Sequence, residues 1–353
     1  MMEWIESMVL GLVQGLTEFL PISSDGHLSL TQQAFRRFAG ISHTPKETLF
    51  FFVMLHLGTL AAIVLHYRAV VRTGARGLLG SSEVPPAYRR EAVIRVGLLA
   101  FLATLPLVPD ALFLKKLIEQ SLESPTAAGV GFLITAAVLL VTLRLPGGHK
   151  GPAEMRWTDA LLIGLAQMFA PLPGVSRSGL TVAAALSLGL SRSWAVGFSL
   201  LIAIPAILGA AVFELKDLDP SSLTGDRVAQ TVAATVLAGA VGYGAIIWLV
   251  RIVRSGHLWY FSVYLIVLGS AVLAALAVSG GNLDGPRSHA LDRPLRGSAP
   301  RSGAGGREGR AVEPLDRADG PGARSGGPRS GSAAPLAGRA PGLVLERPLA
   351  GRP

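Results

Sequence analysis

Two apolar stretches of this 353-residue chain are broken by proline and polar residues at matching positions. The first break lies between Gly11 and His27, and the second lies between Gly164 and Gly179. A shift of 153 positions places five residues of the first on identical residues of the second, namely Gly11, Leu12, Gln14, Ser23 and Gly26 on Gly164, Leu165, Gln167, Ser176 and Gly179. This pattern indicates an internal duplication in which each copy carries the same broken element.

The composition predicts an integral membrane protein. Half of the residues are hydrophobic, 16% are charged and the mean hydropathy is +0.48, which is too apolar for an ordinary soluble domain. The chain has no cysteine, so disulfides, thiolate nucleophiles and cysteine-bound metals are excluded, and any chemistry must come from oxygen and nitrogen groups. The acidic start at Met1–Ser7 differs from the basic start of a cleavable signal peptide, so we expect the first apolar segment to be retained.

The positive charge of the chain is concentrated in its last 69 residues. Residues 285–353 hold twelve arginines and six acidic residues, whereas the preceding residues hold 20 basic and 17 acidic side chains. This segment is rich in Gly, Pro, Ser and Ala. It has too few large apolar residues for their burial to offset the entropy lost when the chain is ordered, so we predict a disordered tail. Such a tail could bind RNA or anionic lipid, but arginine content alone is a weak signal and no nucleic-acid partner is expected.

A helix needs about 20 residues to cross the apolar core of a bilayer, and six apolar segments are about this long. They run from Phe50 to Tyr67, Val93 to Leu114, Ala127 to Leu145, Trp194 to Phe213, Ala229 to Val250 and Trp259 to Val278. The two broken segments, Met1 to about Arg36 and Trp157 to Leu190, are each interpreted as a pair of half-helices. Non-helical backbone at membrane depth persists only where it is buried in protein or lines a wet cavity, which favours two re-entrant hairpins.

The predicted fold is therefore an all-α membrane domain over residues 1–284, with repeat one at about 1–145 and repeat two at about 154–278. Three crossings per repeat give the repeats opposite orientations, so that both hairpin tips meet near the midplane. One side of the membrane collects the basic loop residues Arg68, Arg72, Arg76, Arg89, Arg90, Arg144, Lys150, Arg156, Arg192, Arg251 and Arg254. By the positive-inside rule this side is cytoplasmic, which places both termini and the loops with Lys115, Lys116 and Glu214 to Asp219 outside.

The first break contains a candidate metal site. Gln14 and Glu18 are four residues apart and so share one helix face just before Pro21 ends the half-helix. A carboxylate inside a membrane normally pairs with a cation or lines a wet site, so Glu18 is either a metal ligand or a buried partner for Arg177. Hard oxygen donors of this kind suit Mg²⁺ or Ca²⁺ better than zinc.

Both breaks contain candidate anion-binding groups. The run Ser23–Gly26 and the run Ser176–Gly179 each begin a half-helix, whose free N–H groups and positive dipole end attract phosphate. Arg177 is positioned to clamp phosphoryl oxygens, although a single arginine near a helix end also snorkels to headgroups. Ser24 is a candidate nucleophile. The alternatives are a water nucleophile, with Ser24 as a hydrogen-bond donor, and a simple N-cap role for Ser24.

Three histidines lie in or near these segments. His27 suits proton transfer and could equally be a structural residue. His56 and His66 have no clustered partners in the sequence, so both are interpreted as structural.

The motifs resemble those of the bacterial undecaprenyl-diphosphate phosphatase family, the bacitracin-resistance type. The resemblance extends from about Met1 to Val278. It rests on Gln14 and Glu18 as the Glu/Gln and Glu of the first motif, on Ser23 to His27 as Ser-Ser-X-Gly-His, and on Pro173 to Gly179 as Pro-Gly-X-Ser-Arg-Ser-Gly, with Thr181 following. Asp25 stands where the family commonly has Thr or Ser, and this extra carboxylate either caps the helix or strengthens a metal site.

The resemblance implies an inner-membrane hydrolase that removes the terminal phosphate of undecaprenyl diphosphate on the extracytoplasmic side, recycling the lipid carrier for cell-wall polymers. It implies a divalent cation, Mg²⁺ or Ca²⁺, and bilayer lipids and the lipid diphosphate as partners, with a homodimer left open. The implied catalytic residues are Glu18, Ser24, His27 and Arg177, and the implied substrate-binding residues are Ser23, Gly26, Gly174, Ser176, Ser178, Gly179 and Thr181. A polyprenyl-phosphate transporter that uses the same anion site is the alternative.

Overall fold

The computed structural model describes residues 1–41, 43, 45–109, 121, 124–145, 147–215 and 225–278. These residues are helical apart from turns, connecting segments and a single bridge between Lys150 and Leu190. The helices are α1 (Met2–Thr17), α2 (Ser24–Ala39), α3 (Pro45–His66), α4 (Arg68–Leu78), α5 (Arg90–Thr104), α6 (Pro125–Val141), α7 (Trp157–Gln167), α8 (Arg177–Ser187), α9 (Arg192–Leu215), α10 (Gly225–Ser255) and α11 (Tyr260–Val278). The all-α prediction is thus confirmed for the described residues.

Both predicted breaks are present as helix-break-helix segments. In the first, α1 ends at Thr17 and α2 begins at Ser24, and the Ser23 side chain accepts a hydrogen bond from the Gly26 N–H at 3.4 Å. In the second, α7 ends before the Pro-Gly turn, and the Ser176 side chain accepts from the Gly179 N–H at 3.1 Å. The serine and glycine that repeat after 153 residues are therefore the N-cap and the third residue of a helix. The interpretation of Ser24 as an N-cap is wrong, because Ser23 occupies that position.

The length and apolarity of the helices are those of a multi-pass membrane protein. Among the described residues, four helical segments are long and apolar enough to cross a bilayer, namely Pro125–Arg144, Arg192–Val212, Gly225–Ser255 and Tyr260–Val278. A fifth is obtained if Phe50–His66 and Arg68–Leu78, which are bent by 72° relative to each other, form one span. The proposed crossing from Val93 to Leu114 is helical from Arg90 to Thr104 and continues as a 3-10 turn, and its last five residues lie outside the described ranges. Six crossings therefore remain a prediction.

The two broken segments pack against helices in equivalent ways. Gly11 of α1 faces α10, where an added Cβ would lie 2.6 Å from the Ala234 carbonyl oxygen. Gly164 of α7 faces α5, where an added Cβ would lie 2.5 Å from the Ala103 carbonyl oxygen. Such close approach of two helix backbones requires a residue without a side chain, which explains why this glycine recurs after 153 residues.

Contacts near the ends of these two helix pairs show the relative direction of the helices in each pair. Trp4 and Ser7 of α1 bond to Asp226 and Gln230 at the start of α10, so α1 and α10 run parallel. Arg95 of α5 donates to the carbonyl oxygen of Met155, just before α7, at 2.5 Å, so α5 and α7 also run parallel. Each broken segment therefore begins beside the start of a helix from the other half of the chain.

A pair of polar side chains ties the α2–α3 connection to α1. His43 Nε2 lies 2.8 Å from Oε2 of Glu6, whose carboxylate is 2% exposed. The hydrogen bond with Glu6 raises the pKa of His43 above its ordinary value, against the smaller opposing effect of burial. This pair makes the stability of the connection dependent on pH.

We expect the stabilisation by His43 to be full below about pH 6.5 and to be lost as pH rises through the raised folded-state pKa. The difference in Tm between the wild type and His43→Ala should therefore be larger at pH 5.5 than at pH 9. Thermal unfolding in detergent across this range measures the difference, with His257→Ala, an exposed histidine, as the control. A difference that does not change with pH would contradict this role.

Several predictions fall on residues outside the described ranges. These are the disordered tail at 285–353, the loop with Lys115 and Lys116, and most of the acidic stretch from Glu214 to Asp219. The described residues therefore locate the broken segments and their neighbours.

Candidate active site

The tips of the two broken segments contact each other. Ser178 of the second tip donates from Oγ to the carbonyl oxygen of Leu20 in the first tip at 3.1 Å. Gly26 at the start of α2 packs so closely on the second tip that an added Cβ would lie 2.8 Å from the Gly174 nitrogen. These contacts bring together polar residues that are some 150 positions apart in the chain. The sequence predicted that the two breaks would meet in this way.

Glu18 is the centre of this group. It caps the C-terminal end of α1, and its side chain is 3% exposed. Oε1 forms an ion pair with Arg177, while Oε2 accepts from Gln14 Nε2 at 3.0 Å and from Ser24 Oγ at 2.7 Å. The carboxylate therefore connects residues from α1, α2 and α8. Of the two roles weighed for Glu18, the structure shows the buried ion pair with Arg177, and the role as a metal ligand stays a prediction.

Ser24 and Arg177 occupy equivalent positions in the two repeats. Each is the first residue of its helix, directly after the serine N-cap, and the two are related by the same 153-residue shift. Both side chains reach the same carboxylate. The residue 153 positions after Glu18 is Pro171, so the Glu18 carboxylate has no counterpart at that position and contacts residues of both tips.

The polar atoms around Glu18 fit a hard cation by their chemistry. Gln14 is fully buried, and its Oε1 has no hydrogen-bond partner among the described residues. No three His, Asp or Glu side chains in the described ranges are arranged as a metal-binding set. Mg²⁺ is commonly held by one or two carboxylates together with substrate phosphates, so Glu18 and Gln14 are suitable protein ligands for an ion that arrives with a phosphorylated substrate.

Some residues of this group are partly exposed, and others are buried. Ser24, Asp25 and Arg177 are partly exposed, whereas Gln14 and Glu18 are buried. Ser24 and Arg177 both contact the Glu18 carboxylate, one at each oxygen. They are also the first residues of α2 and α8, whose N-termini add positive potential for an anion.

The other predicted substrate-binding residues lie in the tips and are mostly buried. Ser176 and Ser178 bond to each other at 3.2 Å, and Thr181 bonds to Ser199 of α9 at 2.6 Å. Gly174 has φ +82° and packs against the backbone of α6, and Gly179 packs against Ser176. Contact of these residues with substrate stays a prediction, while their visible interactions hold the second tip in place.

Ser23 is the one non-glycine residue with positive φ among the described residues, at +69°. Such a conformation costs about 1–3 kcal/mol and persists where the surroundings impose it. Here it directs the Ser23 side chain to cap α2 and, in the next residue, the Ser24 hydroxyl to Glu18.

His27 is engaged on both ring nitrogens. Nδ1 donates to the Ser23 carbonyl oxygen at 2.7 Å, because a carbonyl only accepts, and Nε2 lies 2.7 Å from the Tyr264 hydroxyl of α11. Phe132 packs on the ring at a centroid distance of 5.0 Å. The proton-transfer role of His27 stays a prediction, and the contact with Tyr264 was not indicated by the sequence.

His56 also belongs to the group around Glu18, which the sequence did not indicate. Its Nε2 lies 3.4 Å from Glu18 Oε2 and 3.8 Å from Asp25 Oδ1. The interpretation of His56 as lacking clustered partners is therefore wrong, because α3 brings it to the tip from a distant part of the chain. Asp25 is also not the helix cap, since Ser23 takes that position.

Comparison with known families shows to which family the chain belongs. The model of the family described as "Bacitracin resistance protein BacA" matches residues 7–271, which include every residue at the two tips. The chain belongs to the BacA family. The resemblance seen in the sequence motifs is thereby confirmed.

Relatives of this BacA-family chain are similar over the same region. A protein of Desulfatibacillum aliphaticivorans is 35% identical over 282 residues, which cover 78% of this chain and 99% of the relative. A protein of Carboxydothermus hydrogenoformans is 36% identical over 278 residues, covering 78% and 98%, and one of Myxococcus xanthus is 38% identical over 277 residues, covering 78% and 90%. All three bear the name undecaprenyl-diphosphatase.

Proposed function

We propose that this protein hydrolyses undecaprenyl diphosphate to undecaprenyl phosphate and inorganic phosphate, and so recycles the lipid carrier for cell-wall synthesis. The observation that carries the proposal is the contact of one buried carboxylate with both a serine hydroxyl and a guanidinium at the meeting point of the tips. A hydroxyl, a base and a cation in this arrangement are the parts required for phosphoryl transfer. The names of the relatives give the substrate.

The chemical step begins at Ser24. Its hydroxyl donates to Glu18 at 2.7 Å, so Glu18 is placed to take the proton as the oxygen attacks the terminal phosphorus. The bond between that phosphorus and the bridging oxygen breaks, and undecaprenyl phosphate leaves. Water then hydrolyses the phosphoserine and releases inorganic phosphate. His27, beside the serine turn, handles the proton of the leaving group: Nδ1 keeps its hydrogen on the Ser23 carbonyl oxygen, so the proton passed to the leaving group is one that Nε2 has first taken up from solvent.

Charge stabilisation comes from Arg177 and the helix N-termini. A partly exposed guanidinium binds phosphoryl oxygens in bidentate fashion, and phosphoryl transfer depends mainly on such positioning and neutralisation. Glu18 with Gln14 would hold the divalent cation, Mg²⁺ or Ca²⁺. When bound, this ion would neutralise part of the charge of the diphosphate.

The same proposal includes the membrane arrangement. The two tips belong to re-entrant hairpins that enter from opposite sides of the inner membrane, in an inverted repeat with six crossings and an extracytoplasmic active site. The equivalent contacts of α1 with α10 and of α7 with α5 support this symmetry, because each hairpin packs on a helix of the other half. The basic loops support the orientation.

The function is tested by phosphate release from a polyprenyl diphosphate by purified full-length protein in detergent. We expect release with Mg²⁺ or Ca²⁺, a loss of at least about 10²-fold after chelation, and recovery when the ion is returned. Movement of polyprenyl phosphate across vesicle membranes without phosphate release would support the transporter instead. The bond from Ser24 to Glu18 favours hydrolysis, because a carrier needs to bind phosphate and needs no nucleophile.

The identity of the nucleophile is tested separately. Ser24→Ala is expected to abolish turnover, and acid quenching of the wild type during turnover is expected to trap phosphoserine at position 24. Retained turnover in Ser24→Ala would assign the attack to water and reduce the serine to a hydrogen-bond donor.

A further inference from the structure

Helix α4 turns away from the apolar helix that precedes it. Phe50–His66 and Arg68–Leu78 are bent by 72° relative to each other, and Tyr67 lies between them. The whole of α3, Pro45–His66, has 22 residues and is long enough to cross the apolar core of a bilayer without α4. A bend of this size at the end of such a span turns α4 toward the plane of the membrane surface.

Three arginines line one face of α4. Arg68, Arg72 and Arg76 are spaced four residues apart, so their side chains follow each other along the helix. All three are exposed, and none forms an ion pair with a carboxylate of the described residues. Unpaired guanidinium groups are strongly disfavoured in hydrocarbon. This face therefore lies at the lipid headgroups, and α4 does not continue the apolar span.

A second exposed face of α4 is apolar. Val71 and Leu78 are 49% and 44% exposed, and the exposed Ala75 lies between them on the same side of the helix. Val71 is three residues after Arg68, and Ala75 is three residues after Arg72, so this apolar stripe is next to the arginines on the helix surface. An apolar stripe beside a basic one is typical of a helix that lies in the membrane interface.

The third face of α4 is packed on the protein. Gly77 is buried, and an added Cβ there would overlap the carbonyl oxygen of Tyr88, just before α5. Gly74 faces Val93 of α5. Because this packed face is fixed, α4 cannot rotate to bury its apolar stripe against the protein without losing the contact at Gly77.

We propose that α4 is an interfacial helix that binds anionic phospholipids, with Arg68, Arg72 and Arg76 at the lipid phosphates and the apolar stripe among the acyl chains. Guanidinium groups bind phosphate oxygens in bidentate fashion. The lipid is anionic because residues 68–90 hold five arginines and one glutamate, and each arginine near a negatively charged leaflet strengthens binding about fivefold. This lipid contact is independent of the proposed phosphatase function.

The experiment measures which lipid lies beside α4. The chain has no cysteine, so Val71→Cys provides a single site for a fluorescent label on the full-length protein in phosphatidylcholine vesicles. Trace nitroxide-labelled phosphatidylglycerol or phosphatidylcholine then quenches the label according to its local concentration. We expect phosphatidylglycerol to be enriched about 10- to 100-fold over phosphatidylcholine at this label. Most of the enrichment should be lost at about 1 M salt, where charges are screened within about 3 Å.

Removal of charge from α4 tests the arginines themselves. Arg72→Gln with Arg76→Gln should lower the enrichment at least about fivefold, and both residues are exposed, so thermal unfolding of this variant should match that of the wild type. The matched control is Arg36→Gln with Arg37→Gln, which removes two exposed arginines of α2 and should leave the enrichment unchanged. Enrichment that persists after the two substitutions in α4 would overturn the proposal.

A label elsewhere tests whether the lipid preference belongs to α4. Val267→Cys places the label on α11, where Val267 is 65% exposed, and both lipids should quench it equally. Equal quenching by both lipids at Val71→Cys would show that α4 has no anionic preference. Absence of quenching by either lipid there would place α4 in water, and each of these two results would overturn the proposal.

Discussion

Glu18→Gln is expected to lower kcat for phosphate release by about 10²–10⁴-fold, the range for loss of a general base. Glutamine has nearly the volume of glutamate, so the packing of the tip is kept while the acceptor for the Ser24 proton is removed. Arg177 is also left without its ion-pair partner, as an unneutralised charge at 20% exposure. Phosphate release by purified protein measures the effect.

The control for this variant is Glu3→Gln, an exposed glutamate in the first turn of the same helix. It should leave kcat unchanged. Arg177→Ala is expected to cost about 10²–10³-fold by itself, and the combined defect of the two variants should be smaller than the product of their separate defects, because both residues act on one contact. Independent effects would show that the ion pair has no part in the reaction.

Gly174→Ala is expected to prevent correct folding or to destabilise the protein by more than about 4 kcal/mol. Gly174 has φ +82°, and an added Cβ would overlap the Ala128 carbonyl oxygen and lie 2.7 Å from the Phe132 nitrogen. Both obstacles are backbone atoms of α6, which cannot move without disrupting that helix. The second tip would be pushed away from Gly26, so phosphate release should be abolished as well.

The matched control is Gly40→Ala. Gly40 also has positive φ, at +67°, but an added Cβ there would meet nothing within 4 Å. Its expected cost is about 1–2 kcal/mol from the backbone conformation alone. Tm values of both variants in detergent distinguish conformational strain from steric overlap, and similar values for the two would contradict the close contact of Gly174 with α6.

The broken segments could be predicted from the sequence because their causes are local. Pro21 and the turn at Pro173-Gly174 lack the backbone groups or side chains that continue a helix, and a serine caps the helix that follows within three residues. The error at Ser24 has the same local origin. Two adjacent serines are equally good caps by residue type, and the backbone at Ser23, with φ +69°, decides between them.

The candidate site was only partly predictable. Glu18 and Arg177 could be singled out because charged residues are rare in apolar segments, and the repeat indicated that their segments correspond. His56 lies in an apolar helix without a neighbouring motif, and Tyr264 looks like an ordinary aromatic residue of a membrane span. No local pattern marks either residue, because each acquires its partner through packing of α3 or α11 against the first tip.

The sequence by itself determined the family, the helical class and the two breaks, because these depend on apolarity, on proline and serine chemistry and on spacing along the chain. Only the tertiary structure decided that Ser24 and Arg177 share Glu18 and that His56 lies near both Glu18 and Asp25. Glu18 and Arg177 are 159 residues apart. Contacts over such separations are set by how helices pack, and helix packing depends on the shapes of all the elements together.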